Sequence, residues 1–240
     1  MTTKNLLAAA ALFASLACSA FATTYSGNGN TGFGGPVGNG SLTVTNDASN
    51  ITFSFASSGS IGGNDLVIYI DSISGGFSST AGFNDAADGG RSAVSGYTAT
   101  GNGGGPGQSV LTFASGFNAD YAIDIGSTFA SLFTLANGGN GSQVFDTGAS
   151  QTGSPYTLTL SLASLGLATG QTFELFGTLV SETGYRSTEA IAGNDTGTQG
   201  WSPFTQTSFG TYTVTAVPEP STFALCGISG LAMLRLLRRH

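Results

Sequence analysis

Tyr156-Thr157-Leu158-Thr159-Leu160-Ser161-Leu162 alternates apolar and polar residues without a break. Successive side chains of a strand point to opposite faces, so this stretch reads as a strand with one buried and one wet face. Working outward, the same period of two recurs at residues 41–45 (SLTVT), 51–56 (ITFSFA), 66–71 (LVIYID) and 110–114 (VLTFA). It continues at 121–125, 129–135, 143–146, 172–180 (TFELFGTLV) and 211–217 (TYTVTAV). β-Branched and aromatic residues dominate these runs, as suits a pleated, half-buried surface. Gly62-Gly63-Asn64-Asp65 and Gly138-Gly139-Asn140-Gly141 are turn signals between them. One helical turn fits within residues 161–168. The expectation is an all-β chain with a single β-sandwich or jelly-roll-like domain. The runs have no fixed spacing, which argues against a propeller or a solenoid.

Composition narrows the chemistry. Of 240 residues 38 are Gly, without a Gly-X-Y period, so a collagen reading fails. With 40% hydrophobic residues the chain has the means to build a core. Between residues 23 and 217 two arginines, Arg91 and Arg186, face twelve acids, a net charge of −10. A surface this acidic repels nucleic acid and anionic headgroups, and suits cations, neutral glycans or a hydrated matrix. Cys18 and Cys226 lie in apolar terminal stretches, and the single His is His240. The body therefore has no thiolate nucleophile, no Ser-His-Asp triad and no imidazole zinc site.

The two ends read as processing segments. Lys4, an apolar run from Leu6 to Ala17, and Ala20-Phe21-Ala22 have the form of a secretory signal peptide over residues 1–22. Ala20 and Ala22 supply the small residues for cleavage after Ala22, which implies the Sec translocon and signal peptidase as partners. A buried N-terminal helix and a lipoprotein signal ending before Cys18 are the alternatives. Residues 23–40 form a Gly-rich lead-in, expected to be flexible over residues 28–40. The sandwich is expected over residues 41–217. At the other end Val217-Pro218-Glu219-Pro220-Ser221-Thr222 precedes an apolar stretch, residues 223–234, and a basic end with Arg235, Arg238 and Arg239. Two prolines forbid helix continuation and ladder bonding, so this peptide should be extended and accessible. The apolar stretch is short for permanent anchorage and suits transient membrane insertion as a helix, its arginines held on the cytoplasmic side.

This three-part tail over residues 217–240 resembles the PEP-CTERM sorting signal. Pro218, Glu219, Pro220, Ser221 and Thr222 match its motif, and the hydrophobic helix and the Arg-rich end match its other parts. The resemblance implies an exosortase, a membrane-embedded cysteine transpeptidase, as partner. It also implies an envelope in which exopolysaccharide is made and surface proteins are sorted. A plain tail anchor is the alternative. The body carries a looser likeness: Asn64-Asp65-Leu66-Val67-Ile68-Tyr69-Ile70-Asp71 and Ala119-Asp120-Tyr121-Ala122-Ile123 look like strands of some glycan-binding or haem-binding sandwiches. Haem would lack its usual axial ligands here, since the body has no His and no Cys.

Candidate site residues follow from these readings. Tyr69, Tyr121, Tyr185 and Trp201 could stack on a sugar ring, against a reading of Trp201 as core. Asp65, Asp71, Asp85 and Asp88 could ligate calcium, with Asn84-Asp85-Ala86-Ala87-Asp88-Gly89 as an oxygen-rich turn. That turn departs from EF-hand spacing, and Asp in such turns commonly caps backbone N–H groups. No cofactor is expected, with calcium as the one candidate. Asp120 and Asp124 share a face by parity, and with Glu174, Glu182 and Glu189 they are the carboxylates from which a glycosidase pair would be drawn. A solvated sheet face is the competing reading. Arg186 is expected to pair with Glu182 or Glu189. Gly101 to Gly107 (GNGGGPG) reads as a low-complexity loop, and it lacks the Lys and the following helix of a phosphate loop. The functional expectation is a non-enzymatic, exported protein of the cell envelope, cell surface or extracellular matrix, with a structural or adhesive role beside exopolysaccharide. The alternative is a glycan-binding module, and a carboxylate-based glycoside hydrolase ranks behind it.

Overall fold

Strands of two kinds build the body, and their burial differs as their sequences do. The computed structural model describes residues 21–216. Lys4, the leader's apolar run, Ala20, and the tail with Pro218, Glu219, Pro220, Ser221, Thr222, Arg235, Arg238 and Arg239 lie outside the described residues. In order the elements are β1 (Ala22–Ser26), β2 (Ser41–Asn46), β3 (Asn50–Ala56), β4 (Asn64–Asp71), α1 (Gly89–Ser95), β5 (Tyr97–Asn102), β6 (Gly105–Gln108) and β7 (Leu111–Thr112). Then come β8 (Tyr121–Ile125), β9 (Phe129–Thr134), β10 (Val144–Ser150), β11 (Tyr156–Ser161), β12 (Thr172–Ser181), β13 (Arg186–Ile191), β14 (Gly193–Gly197) and β15 (Phe204–Thr213). A 3₁₀ turn, Leu162–Leu165, follows β11. Among the described residues no helix is long and apolar enough to cross a membrane.

The chain is an all-β, sandwich-like fold. One sheet has the order β1-β2-β3-β11; the larger has β10-β9-β8-β4-β12-β15-β14, with β13 on β12 and β7 parallel to β15. The small sheet alternates cleanly: Leu42, Val44, Ile51, Phe53, Phe55, Leu158 and Leu160 point inward and are buried. Its outer face carries hydroxyls in rows, with Thr24 bonded to Thr43 at 3.0 Å and Thr52 to Thr159 at 2.9 Å. The larger sheet is covered on both sides, so β4 reads as a near-continuous buried run rather than an alternation. Leu66, Ile68 and Ile70 face the small sheet across one core. Val67 and Tyr69 face a second core with Phe176, closed by Val94 of α1 and by Phe83, Phe113 and Phe117 from the long segment between β4 and β8.

Several expectations are corrected. The Gly-rich lead-in belongs to the fold. β1 pairs with β2 from Ala22↔Thr45 to Ser26↔Ser41. The following loop is fastened by the fully buried carboxylate of Glu189. Its oxygens accept the N–H groups of Phe33 (2.6 Å), Gly35 (3.1 Å), Val37 (2.9 Å) and Gly38 (3.0 Å). Glycine lets the backbone come that close, and the carboxylate takes up donors that would otherwise be orphaned. The GNGGGPG stretch is likewise a β5–β6 hairpin. The helix α1 was not expected. It is short, starts on two glycines, and is held by its ends: Asp88 Oδ1 accepts the Arg91 N–H at 2.9 Å, and Gly96 closes it at φ 62°.

Candidate functional site

Side chains that face the second core run in rows across the large sheet. One row is Thr178–Val67–Asp124–Ser131, set by the registers of β12, β4, β8 and β9. Asp65 precedes Val67 by two residues and so lies on the same face, diagonal to Asp124. At this end the second core stops and an open cleft of about 260 Å³ begins, lined by Asp65, Asp124, Ser131, Glu182, Phe129 and Phe145 among others. Asp88 and Arg91 stand at its side.

Glycines leave the carboxyls their room. A Cβ at Gly126 would lie 2.7 Å from Asp65 Oδ1, one at Gly90 2.6 Å from Asp124 Oδ2, and one at Gly89 3.0 Å from the Glu182 side chain. Asp65 is 3% exposed and Asp124 6%, and Asp124 Oδ1 has no hydrogen-bond partner. Burial first, and the charge of Glu182 second, push the Asp65 carboxyl up from 3.8 to about 7. Asp124 is raised well above its ordinary value by burial, then by the charges of Asp65, Asp88 and Glu182. The two therefore act as a carboxyl pair that holds protons near neutrality. Arg91 does not neutralise it. Its guanidinium pairs with Asp88, lies 3.6 Å from Asp85, and sits 5.2 Å from the centre of the Phe133 ring. Phe129 and Phe145 are each 45% exposed, an uncommon state for phenylalanine beside a polar cleft.

The residues picked out from sequence are placed unevenly. Asp65 and Asp88 line the cleft, but Asp85 and Asp71 do not join them. Asp85 is buried and accepts the N–H groups of Gln143 (2.9 Å) and Ala87 (3.1 Å). Asp71 sits at the far end of β4, accepting the Asn118 N–H at 2.6 Å beside Glu174, its cross-strand neighbour. The candidate four-aspartate calcium set is thus dispersed, and Asp85 and Asp71 accept backbone N–H groups as the competing turn reading has it. Among the described residues no group of three or more His, Cys, Asp or Glu is arranged to hold a metal ion. The Asp120–Asp124 pairing also fails: Asp120 is taken up by the N–H groups of Ser72 and Ile73, each at 3.0 Å.

The four aromatic candidates separate in the same way. Tyr69 is fully buried, donates to the Val94 carbonyl at 2.7 Å and meets Phe113 edge-on, which removes it from any ligand surface. Tyr121 packs toward the other core, on the opposite face of the sheet from Tyr69. Tyr185 and Trp201 do come together, ring centres 5.0 Å apart and nearly perpendicular, with Phe33 stacked 6.1 Å from Tyr185. Trp201 is half-buried, its indole N–H donates to the Thr183 carbonyl at 3.1 Å, and Gly107 lies against its ring.

Arg186 departs furthest from expectation. It is fully buried, and among the described residues no carboxylate lies within ion-pair distance. Glu189 is committed to the loop after β1, and Glu182 opens onto the cleft. Arg186 sits opposite Val180 and so faces the second core. There Nη2 donates to the Ser109 carbonyl at 3.3 Å, the guanidinium lies 5.8 Å from the Phe204 ring centre, and Nε and Nη1 have no partner.

The Asp65–Asp124 pair and its phenylalanines escape a reading of the sequence because they depend on which strands pair and in what register. The one available signal is two acids at parity positions of strands with otherwise apolar interiors. No family model matches the chain, and neither a curated protein nor a solved structure is similar to it.

Proposed function

We propose that the body is a non-enzymatic passenger exported to the cell surface or extracellular matrix, and sorted there by an exosortase acting on the PEP-CTERM-like tail. The role is structural or adhesive, beside exopolysaccharide. One observation supports it most: the fold closes between its two terminal segments, and both leave from one place. Thr23 pairs with Val44 in the β1–β2 ladder, and Asn46, two residues further along β2, accepts the Thr215 N–H on Oδ1 at 3.1 Å and donates to the Thr215 carbonyl at 2.9 Å. These pairings use only residues that remain after cleavage behind Ala22 and beyond Thr215. Its net charge of −10 and lack of His and Cys suit a displayed module more than a catalyst.

The intact mass of the protein from the envelope and medium of its host tests this. Loss of a leader near Ala22, and of a tail segment only when exosortase is present, is the expected outcome. A C-terminus left whole in the membrane fraction would make the tail an ordinary anchor and reject the sorting reading.

A second reading, a glycan-binding module, is favoured by the cleft, where buried carboxyls meet the exposed rings of Phe129 and Phe145.

A further inference from the structure

The cleft combines three features that no structural role explains together. Asp124 lines the cleft, is almost wholly buried, and leaves its buried Oδ1 without a hydrogen-bond partner. A buried acceptor left unbonded is destabilising, and beside the proton held with Asp65 it favours a ligand that brings further hydroxyl donors. Phe129 and Phe145 are two of the three exposed phenylalanines among the described residues, and both line this cleft. Gly89, Gly90 and Gly126 stand where any side chain would strike the three acids.

We propose that this cleft binds one pyranose unit of a neutral glycan, its hydroxyls donating to Asp124, Asp65 and Glu182 and its C–H face resting on Phe129 and Phe145. The inference rests on the glycan-binding reading and places that binding away from Trp201. Carboxyl oxygens beside aromatic rings suit a ligand that is polar at its edge and apolar on its face. A carboxyl pair that retains a proton offers both a donor and acceptors, which hydroxyl groups satisfy without bringing charge. Acidic sugars are disfavoured by the surrounding carboxylates. A bare cation is disfavoured too, because no three acids are disposed around a common point. The volume, about 260 Å³, is just below the roughly 300–1,000 Å³ of pockets for drug-sized ligands, and so suits one ring.

The test is calorimetric titration of the full-length chain, kept in a detergent without a sugar headgroup. The probes are tetrasaccharides of glucose, galactose and mannose, with calcium chloride titrated separately. At least one tetrasaccharide should bind. Asp124→Asn and Phe145→Ala should each weaken it by roughly tenfold or more, and Trp201→Ala should leave it unchanged. Phe145 is half-exposed, so its variant keeps the fold, which an unchanged melting temperature verifies. Binding that survives both cleft variants but is lost in Trp201→Ala would overturn the cleft assignment and leave the glycan reading standing. Absence of binding to all three sugars would overturn both. Calcium binding that Asp124→Asn abolishes, without sugar binding, would make the cleft a cation site and overturn the proposal.

Discussion

Glu189 has no exposed surface, and its two oxygens accept four backbone N–H groups of the loop after β1. A buried carboxylate is tolerated because those donors, with the Ser187 hydroxyl at 3.5 Å, stand in for its hydration. Removing it would orphan four amides at once. Glu189→Ala should therefore cost about 3–5 kcal/mol in urea unfolding, and Glu189→Gln, which keeps one acceptor oxygen, should cost less. A loss below about 1 kcal/mol would show that the loop is held by other contacts. Arg186 is the converse case, a buried cation with two unbonded nitrogens. Burial raises the Asp195 carboxyl to about 6, and the positive charge of Arg186 partly offsets that rise. Neither role could be read from sequence. Acid and base lie three residues apart, and spacing alone invites the pairing that the fold refuses.

At the level of elements, β2, β3 and β11 were plain in the sequence because one face is wet and the alternation is clean. β4 and β12 were found as well, but being buried on both faces they gave no sign of a second core. The elements that went unread are β1, β5, β6, β13, β14 and α1. They are Gly-rich or polar, and they exist through pairing and capping rather than propensity. Register was also hidden, and with it the meeting of Asp65 and Asp124. The β5–β6 hairpin shows what a glycine there accomplishes. A Cβ at Gly107 would lie 2.7 Å from Cγ of Trp201, so only glycine lets the strand lie on the indole. Since Trp201 is the single tryptophan, Gly107→Val should shift the fluorescence maximum to the red as the ring is pushed into water. An unshifted spectrum would mean that the ring is held by its bond to Thr183 alone.

For the whole molecule, the balance of protons sets the response to pH. Asp65 is raised to about 7 and Asp195 to about 6, and Asp124 moves the same way. Folded, these groups keep protons that the unfolded chain has released above pH ~4. The folded state binds more protons, so stability falls as pH rises from about 4 through the folded values of Asp195 and Asp65 near 6 and 7, and Asp124 adds to the fall in the same direction. The melting temperature should be higher at pH 5 than at pH 8 by roughly 5–10 °C, and Asp65→Asn should flatten the difference. A melting temperature that rises with pH would reject the buried carboxyl pair as protonated. The junction of the chain ends has a consequence of another kind. Asn46, at the end of β2 in the small sheet, donates to the Thr215 carbonyl at 2.9 Å and accepts from its N–H, just after β15 of the large sheet. For a body tethered through its C-terminal segment, drag from moving fluid enters at Thr215. The Asn46 amide passes that tension at once into the second sheet, so the load spreads over both layers before β15 can be peeled away.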